Sequence, residues 1–289
     1  MLKWQAAART DAGCQRQRNE DNYWMSPDQR VFAVADGMGG AVGGSRASKL
    51  AVEAIEKLWQ DSPLTTFTED EIKKWLDTAV AHANSRVWSE AEEDASVRGM
   101  GTTVVVAFQS DNSVLQIAHV GDSRAYLCRE GKHKLLTNDH SVVQEMVRAG
   151  RLTEEQARIN PYKNLITRCL GHEERVEIEH TLVELKPKDW VILCSDGLPT
   201  VLRDEEIGEV ADAGKDPDGV CDELVKQTID GGAPDNVTVV VIKYSDGEIP
   251  GLCANIRRCR SPAKMTGWST SRSNGKCSCR NTIVPRYTK

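Results

Sequence analysis

Four aspartates stand where hydrophobic, β-branched runs begin or end: VFAVADGMGG at Asp36, IAHVGDSR at Asp122, VILCSDG at Asp196 and APDNVTVVVI at Asp235. Such runs, rich in Val and Ile and bounded by Gly, Asp or Asn, read as strands. A strand interior commits its backbone to a sheet. A carboxylate placed where the strand stops therefore lies at a rim that a cation can reach. Four such rims, spread over two hundred residues, predict one metal-filled cleft.

The rest of the chain supplies the layers. RVFAVAD, TTVVVAFQ, SVLQIAHV, RAYLCRE, EIEHTLVEL, DWVILCS and NVTVVVIKY are strand candidates, with KWQAAART a further one at the N-terminus. Apolar residues at helical spacing run from Ala47 to Trp59 and from Ile72 to Ala83, each as a single stripe, so each helix is expected to cover a sheet. Ser45 is the expected cap of the first helix. Asp216 with Pro217 opens a later one through Val220, Leu224, Val225 and Ile229. Strands only a few residues apart imply antiparallel hairpins. With paired helices outside them, the expectation is an α+β fold, a four-layer α/β/β/α sandwich with two central antiparallel sheets. A doubly wound sheet would need a helix after nearly every strand. Thr137 to Gly171 reads as an inserted flap of short helices, with capping boxes at Ser141/Gln144 and Thr153/Gln156 and a stop at Gly150.

The net charge of −6 conceals an asymmetry. Residues 250–289 carry nine Lys or Arg and no acid, which leaves the body with 28 basic against 43 acidic residues, or −15. That body excludes a phosphate-backbone groove and suits a protein that gathers cations. The apolar runs are too short to span a membrane and the N-terminus has no signal core, so a soluble, cytoplasmic, monomeric protein is expected. Cys14, Cys128, Cys169, Cys194 and Cys221 are scattered like small hydrophobes in a reducing compartment. Cys253, Cys259, Cys277 and Cys279 crowd the tail without finger spacing. The expected division is 1–247 as the catalytic domain and 248–289 as a disordered basic tail.

Asp36 precedes GMGGAVGG, but no Lys-Ser or Lys-Thr follows the glycines, and an Asp in front of them would repel phosphate, so a P-loop fails. Asp196 and Asp235, with Gly197 and Asn236 beside them, have no nearby basic residue in the chain. Converging carboxylates repel one another unless a divalent ion neutralises them, and an all-oxygen set favours Mg²⁺ or Mn²⁺. His119 is better read as a strand histidine than as a ligand. Two ions sharing a carboxylate can activate a water for in-line attack on phosphorus. Arg16 and Arg18 are then the local candidates for holding phosphoryl oxygens.

The ordered set RQRNEDN, VADGMGG, GMGTTVVV, HVGDSRAYL, LTNDHS, LITRCLG, VILCSDGL and APDNVTVVV resembles the bacterial branch of the metal-dependent (type 2C) serine/threonine protein phosphatases, over residues 1–245. The resemblance implies hydrolysis of phosphoserine and phosphothreonine in proteins by attack of a water bridging two ions. Asp36 would bridge both metals, Gly37 would offer its carbonyl to one, and Asp196 with Asp235 would hold the other. Glu20 and Asp21 would act through water, and Asp122 with Asp196 would hold a third, weaker ion. Arg16 matches the phosphate-binding arginine and Arg18 does not, while Asn236 would support Asp235.

Two departures stand out. Met38 occupies a position where some members carry a His that protonates the leaving alkoxide, which leaves His140 of NDHS as a candidate donor beside a structural place at the flap's start. Asn160 stands where related bacterial sequences often put His, which marks it as a candidate substrate contact. A metal-free binding relative would lack one of the metal carboxylates, and a two-metal nuclease is opposed by the acidic body. Deleting residues 250–289 is expected to leave kcat/KM on a phosphothreonine peptide unchanged.

Overall fold

The computed structural model describes residues 2–64 and 67–246, without the side chains of 40–42. The chain divides into a unit of Met1–Gly247 and one of Glu248–Lys289; the basic, cysteine-bearing tail lies outside the described residues.

Two antiparallel sheets form the centre. One has the order β1(Leu2–Asp11), β11(Val237–Asp246), β10(Trp190–Cys194), β7(Arg124–Arg129), β8(Lys132–Leu135). The other runs β2(Asp21–Met25), β3(Val31–Met38), β5(Val104–Gln109), β6(Val114–Val120), β9(Glu179–Glu184), with the short β4(Gly101–Thr102) on β3. Helices α1(Gly40–Asp61) and α2(Glu69–Glu93) cover the second sheet. Helices α5(Gly197–Val201), α6(Asp204–Ala213) and α7(Pro217–Asp230) cover the first. The short α3(Val142–Arg148) and α4(Glu154–Arg158) belong to the flap.

Three apolar layers separate these four. On β3, Val31 and Ala33 pack under the helices while Phe32 and Val34 enter the space between the sheets. On β10, Val191 and Leu193 face inward and Trp190, Ile192 and Cys194 face the helices. Alternate side chains of a strand point to opposite faces, and here both faces are covered. This is why these strands read as unbroken apolar runs rather than alternating ones, a pattern seen wherever a sheet is buried on both sides. The eight sequence-read strands are all present. The unread β2 and β8 are edge strands, and β8 alternates exposed lysines with half-buried His133 and Leu135, as sheet edges do to prevent further pairing.

Helix α1 starts six residues earlier than Ser45 suggests: Gly39 is its cap, at φ 124°, a conformation that L residues avoid, and a Cβ there would meet Met100 Cα at 2.8 Å. Of the flap boxes, Thr153/Gln156 is complete, whereas Ser141 accepts the Gln144 amide but the Gln144 side chain turns to Glu154. Thr68 and Glu71 form a further box at α2.

Phe108 lies at the centre of the outer core, with Trp59, Trp75 and Phe67 rings 5.6–5.9 Å away. Phe108→Ala is expected to cost about 3–5 kcal/mol in denaturant unfolding, through lost burial and a cavity that surrounding rings cannot fill.

Candidate metal centre

The site forms along one edge of the sandwich, where strands of both sheets end. Asp36 lies two residues before the end of β3, not at its end as the sequence suggests, because Gly37 and Met38 go on to pair with β4; it is the cross-strand partner of Asp21, the first residue of β2. Asp196 follows β10 and caps α5, and Asp235 stands two residues before the start of β11. A Cβ on Gly197 would lie 1.9 Å from Asn236 O, so the bare glycine lets the Asp196 turn close on the segment carrying Asp235. Likewise a Cβ on Gly37 would strike Gly44 O at 2.0 Å. Asp122 sits in the β6–β7 turn after Gly121.

A cleft of about 460 Å³ is lined by Arg16, Arg18, Glu20, Asp36, Gly37, Met38, Thr103, Asp122, Asp196, Asp235 and Asn236, and from the flap by Asn164 and Ile166. Nine of the eleven sequence-predicted residues therefore line it or, for Asp21, lie directly behind it. His140 and Asn160 do not line it. His140 is buried beneath the flap, where a backbone N–H donates to its Nδ1. Asn160 Oδ1 accepts the Tyr162 amide at 2.9 Å in a local turn. Asn164, four residues further on, is the flap asparagine at the cleft; nothing in the sequence distinguished the two.

Asp21 is nearly sealed from solvent. Its Oδ2 accepts Ser195 Oγ at 2.7 Å and Thr238 Oγ1 at 2.8 Å, both from the opposite sheet, while its Oδ1 is buried with no partner among the described residues. Asp196 Oδ1 is equally without a partner. Asn236 ties the N-terminal loop down: its Oδ1 accepts Glu20 N, and its Nδ2 donates to Ala12 O and Arg18 O, each near 2.9 Å. Arg16 Nη2 donates to Asp235 Oδ2 at 2.6 Å, and Asp235 Oδ1 accepts the Asn236 amide. Thr103 Oγ1 accepts the Asp36 amide at 3.1 Å and pairs with Ser123 Oγ at 2.7 Å. Ser195, Thr238 and Thr103 carried no signal of their own, since a strand threonine or serine is ordinary until its partner is known.

Electrostatics match an oxygen-donor cation site. Burial pushes Asp36 and Asp122 well above the ordinary carboxylate range, with repulsion from Asp21 and Asp196 respectively the next largest cause. Burial and Asp235 raise Asp196, and burial raises Asp21 to about 7 against the hydroxyl bonds that lower it. Carboxylates held this close are unstable as bare anions, and the orphaned Asp21 and Asp196 oxygens are what a divalent cation and its water would satisfy. The donor set fits Mg²⁺ or Mn²⁺ rather than zinc.

The family model for protein phosphatase 2C matches residues 9–221. The serine/threonine phosphatase stp of Listeria innocua is 35% identical over 241 residues, spanning 82% of this chain and 95% of that protein. The serine/threonine protein phosphatase PstP of Mycobacterium tuberculosis is 39% identical over 258 residues, 86% of this chain and 47% of PstP. The crystal structure of the PstP catalytic domain in complex with two manganese ions is 38% identical, with a TM-score of 0.75 over 85% of this chain and 100% of that one.

Asp21 binds a proton in the folded state at pH values where the unfolded chain, near 3.8, has lost it. Metal-free stability is thus full below about pH 4 and falls as pH rises through 7. Chelator-treated protein is expected to melt roughly 5 °C lower at pH 8 than at pH 6, and added Mn²⁺ should abolish the difference. A metal-free Tm that rises with pH would contradict this.

Proposed function

Because this chain belongs to the protein phosphatase 2C family and is a metal-dependent serine/threonine phosphatase, we propose that its acidic cleft holds two divalent cations through Asp36, the Gly37 carbonyl, Asp196 and Asp235. The observation that carries this reading is the pair of orphaned carboxylate oxygens on Asp21 and Asp196 beside mutually repelling acids. Cations held by these residues would supply Lewis acidity, lowering the pKa of a water so that it could attack at neutral pH and neutralising phosphoryl charge.

The chain's own groups do the rest. Arg16, half exposed at the rim and steadied by Asp235, presents a planar guanidinium that can hold two phosphoryl oxygens in line. Glu20 and Asp21 act through water, Asp21 being held by Ser195 and Thr238. Asn236 fixes the loop that carries Arg16 and Glu20. In the reaction the water oxygen bonds to phosphorus as the bond to the Ser or Thr oxygen breaks, releasing inorganic phosphate without a covalent enzyme intermediate. Met38 has no proton to give the leaving alkoxide and His140 is enclosed, which leaves water or one of the raised acids lining the cleft to supply it.

The finer reading adds Mg²⁺ or Mn²⁺ as the ion, a third and weaker ion at Asp122 and Asp196, and a monomer acting on cytoplasmic phosphoproteins rather than nucleic acid. Among the described residues no helix is long and apolar enough to cross a membrane. Purified protein should hydrolyse a phosphothreonine peptide with Mn²⁺ and lose this with chelator or with Asp196→Asn. Arg16→Ala should lower kcat/KM by roughly 10- to 100-fold. Metal-independent turnover, or full activity in Asp196→Asn, would rule the assignment out.

A further inference from the structure

His119, His140 and Glu179 bring their ligand-type atoms within 4.8 Å of one another behind the cleft, an arrangement that invites a metal. The geometry excludes one. The two imidazoles are stacked, 14° from parallel with centroids 4.8 Å apart. Their in-plane lone pairs lie in separate, nearly parallel planes and cannot converge at the about 2.0–2.1 Å that a metal–nitrogen bond requires. Arg168 Nη1 also lies 3.1 Å from His140 Nε2, a cation where the metal would sit.

What His140 does instead follows from its partners. Gly121 N donates to His140 Nδ1 at 3.0 Å, and His140 N donates to Gly121 O at 3.0 Å, a reciprocal pair. A backbone N–H cannot be turned round as an amide or hydroxyl can, so Nδ1 is the bare nitrogen and the ring proton lies on Nε2, toward Glu179 Oε2 at 3.3 Å; Arg168 Nη1, 3.1 Å from the same nitrogen, is then a neighbouring cation paired with Glu177 rather than a hydrogen-bond partner of the ring. Burial, with His119 and Arg168 adding, holds the ring down at about 4, so it stays neutral. Gly121 is itself constrained: it has φ 106°, and a Cβ would meet the Thr103 side chain at 2.6 Å. The next residue is Asp122, at the cleft wall. On its other side His140 joins both ends of the flap. Thr167 N donates to His140 O at 2.7 Å, Ser141 bridges Ile166, and Val142 N donates to Leu165 O at 2.9 Å. Asn164 and Ile166 reach the cleft from that same returning segment.

We propose that His140 is a positioning residue: its bare Nδ1 fixes the Gly121 amide and with it the Asp122 carboxylate, while its backbone seats both ends of the flap, so that flap and Asp122 move as one unit. The inference rests on the phosphatase reading only for its kinetic arm; its structural arm stands independently.

The test separates acceptor from packing. ¹⁵N NMR of the metal-free wild-type protein should show His140 as the Nε2–H tautomer, and an Nδ1–H tautomer would overturn the proposal outright. His140→Phe keeps a ring to stack on His119 but removes the acceptor. It should speed hydrogen exchange of the Gly121 amide at least about tenfold, lower kcat on p-nitrophenyl phosphate and raise KM for a phosphothreonine peptide. His140→Asn loses the ring but places Oδ1 near the Nδ1 position, and should recover most of both the protection and the kinetics. If Phe were tolerated and Asn were damaging, the ring would serve packing alone and the proposal would fail. Should neither variant fold, the wild-type tautomer and Gly121 protection still decide the structural arm. Normal exchange effects with no activity in any form, wild type included, would instead count against the phosphatase reading.

Discussion

Repulsion among recessed carboxylates is the constraint on which the rest of this structure turns. Burial raises the pKa of Asp21, Asp36, Asp122 and Asp196, and each stands close enough to other acids that their charge raises it further. A fold that brings such groups together must hold them rigidly, since any freedom would let them part. The two-sided sandwich provides that rigidity: strands buried on both faces end at one edge, and three apolar layers lock their positions.

The stitching at that edge crosses between the sheets. Asp21 belongs to one sheet and is held by Ser195 and Thr238 at the end and start of strands in the other. Ser195 N also donates to Thr238 O, and its Oγ accepts the Thr238 amide. Thr103 and Ser123 link the end of β3 to the Asp122 turn, and His140 links that turn to the flap. Neutral hydroxyls and backbone groups therefore orient the acids without cancelling their charge, which leaves that charge for cations and, through Arg16 at the rim, for a phosphoryl group.

Much of this was readable from single stretches of chain. Runs such as TVVVAF and VTVVVI announced strands because two-sided burial removes the polar alternation that would disguise them, and α1, α2 and α7 showed one apolar stripe each. Helices α5 and α6 went unread. GLPTV is a single turn beginning with Gly and Leu, and α6 opens on acids that look like a solvated loop until Ile207 and Ala211 are seen to be buried. Strands β2 and β8 failed for a related reason: at five and four residues they are short, and most of their side chains are half-buried or exposed, so their local apolar pattern is weak.

Side-chain roles divide along the same line. The sequence by itself determined which acids lie within two residues of a strand end, and so that Asp36, Asp122, Asp196 and Asp235 would lie at a rim, because strand periodicity and turn chemistry are encoded within a few neighbouring residues. Only the tertiary structure decided that Asp21 lies behind the cleft with a free oxygen, that Asn236 binds a loop more than two hundred residues away, and that His140 is enclosed while Asn164 rather than Asn160 is the flap asparagine lining the cleft. Those outcomes depend on which distant side chains meet when two sheets pack, and no local pattern of residues carries that information.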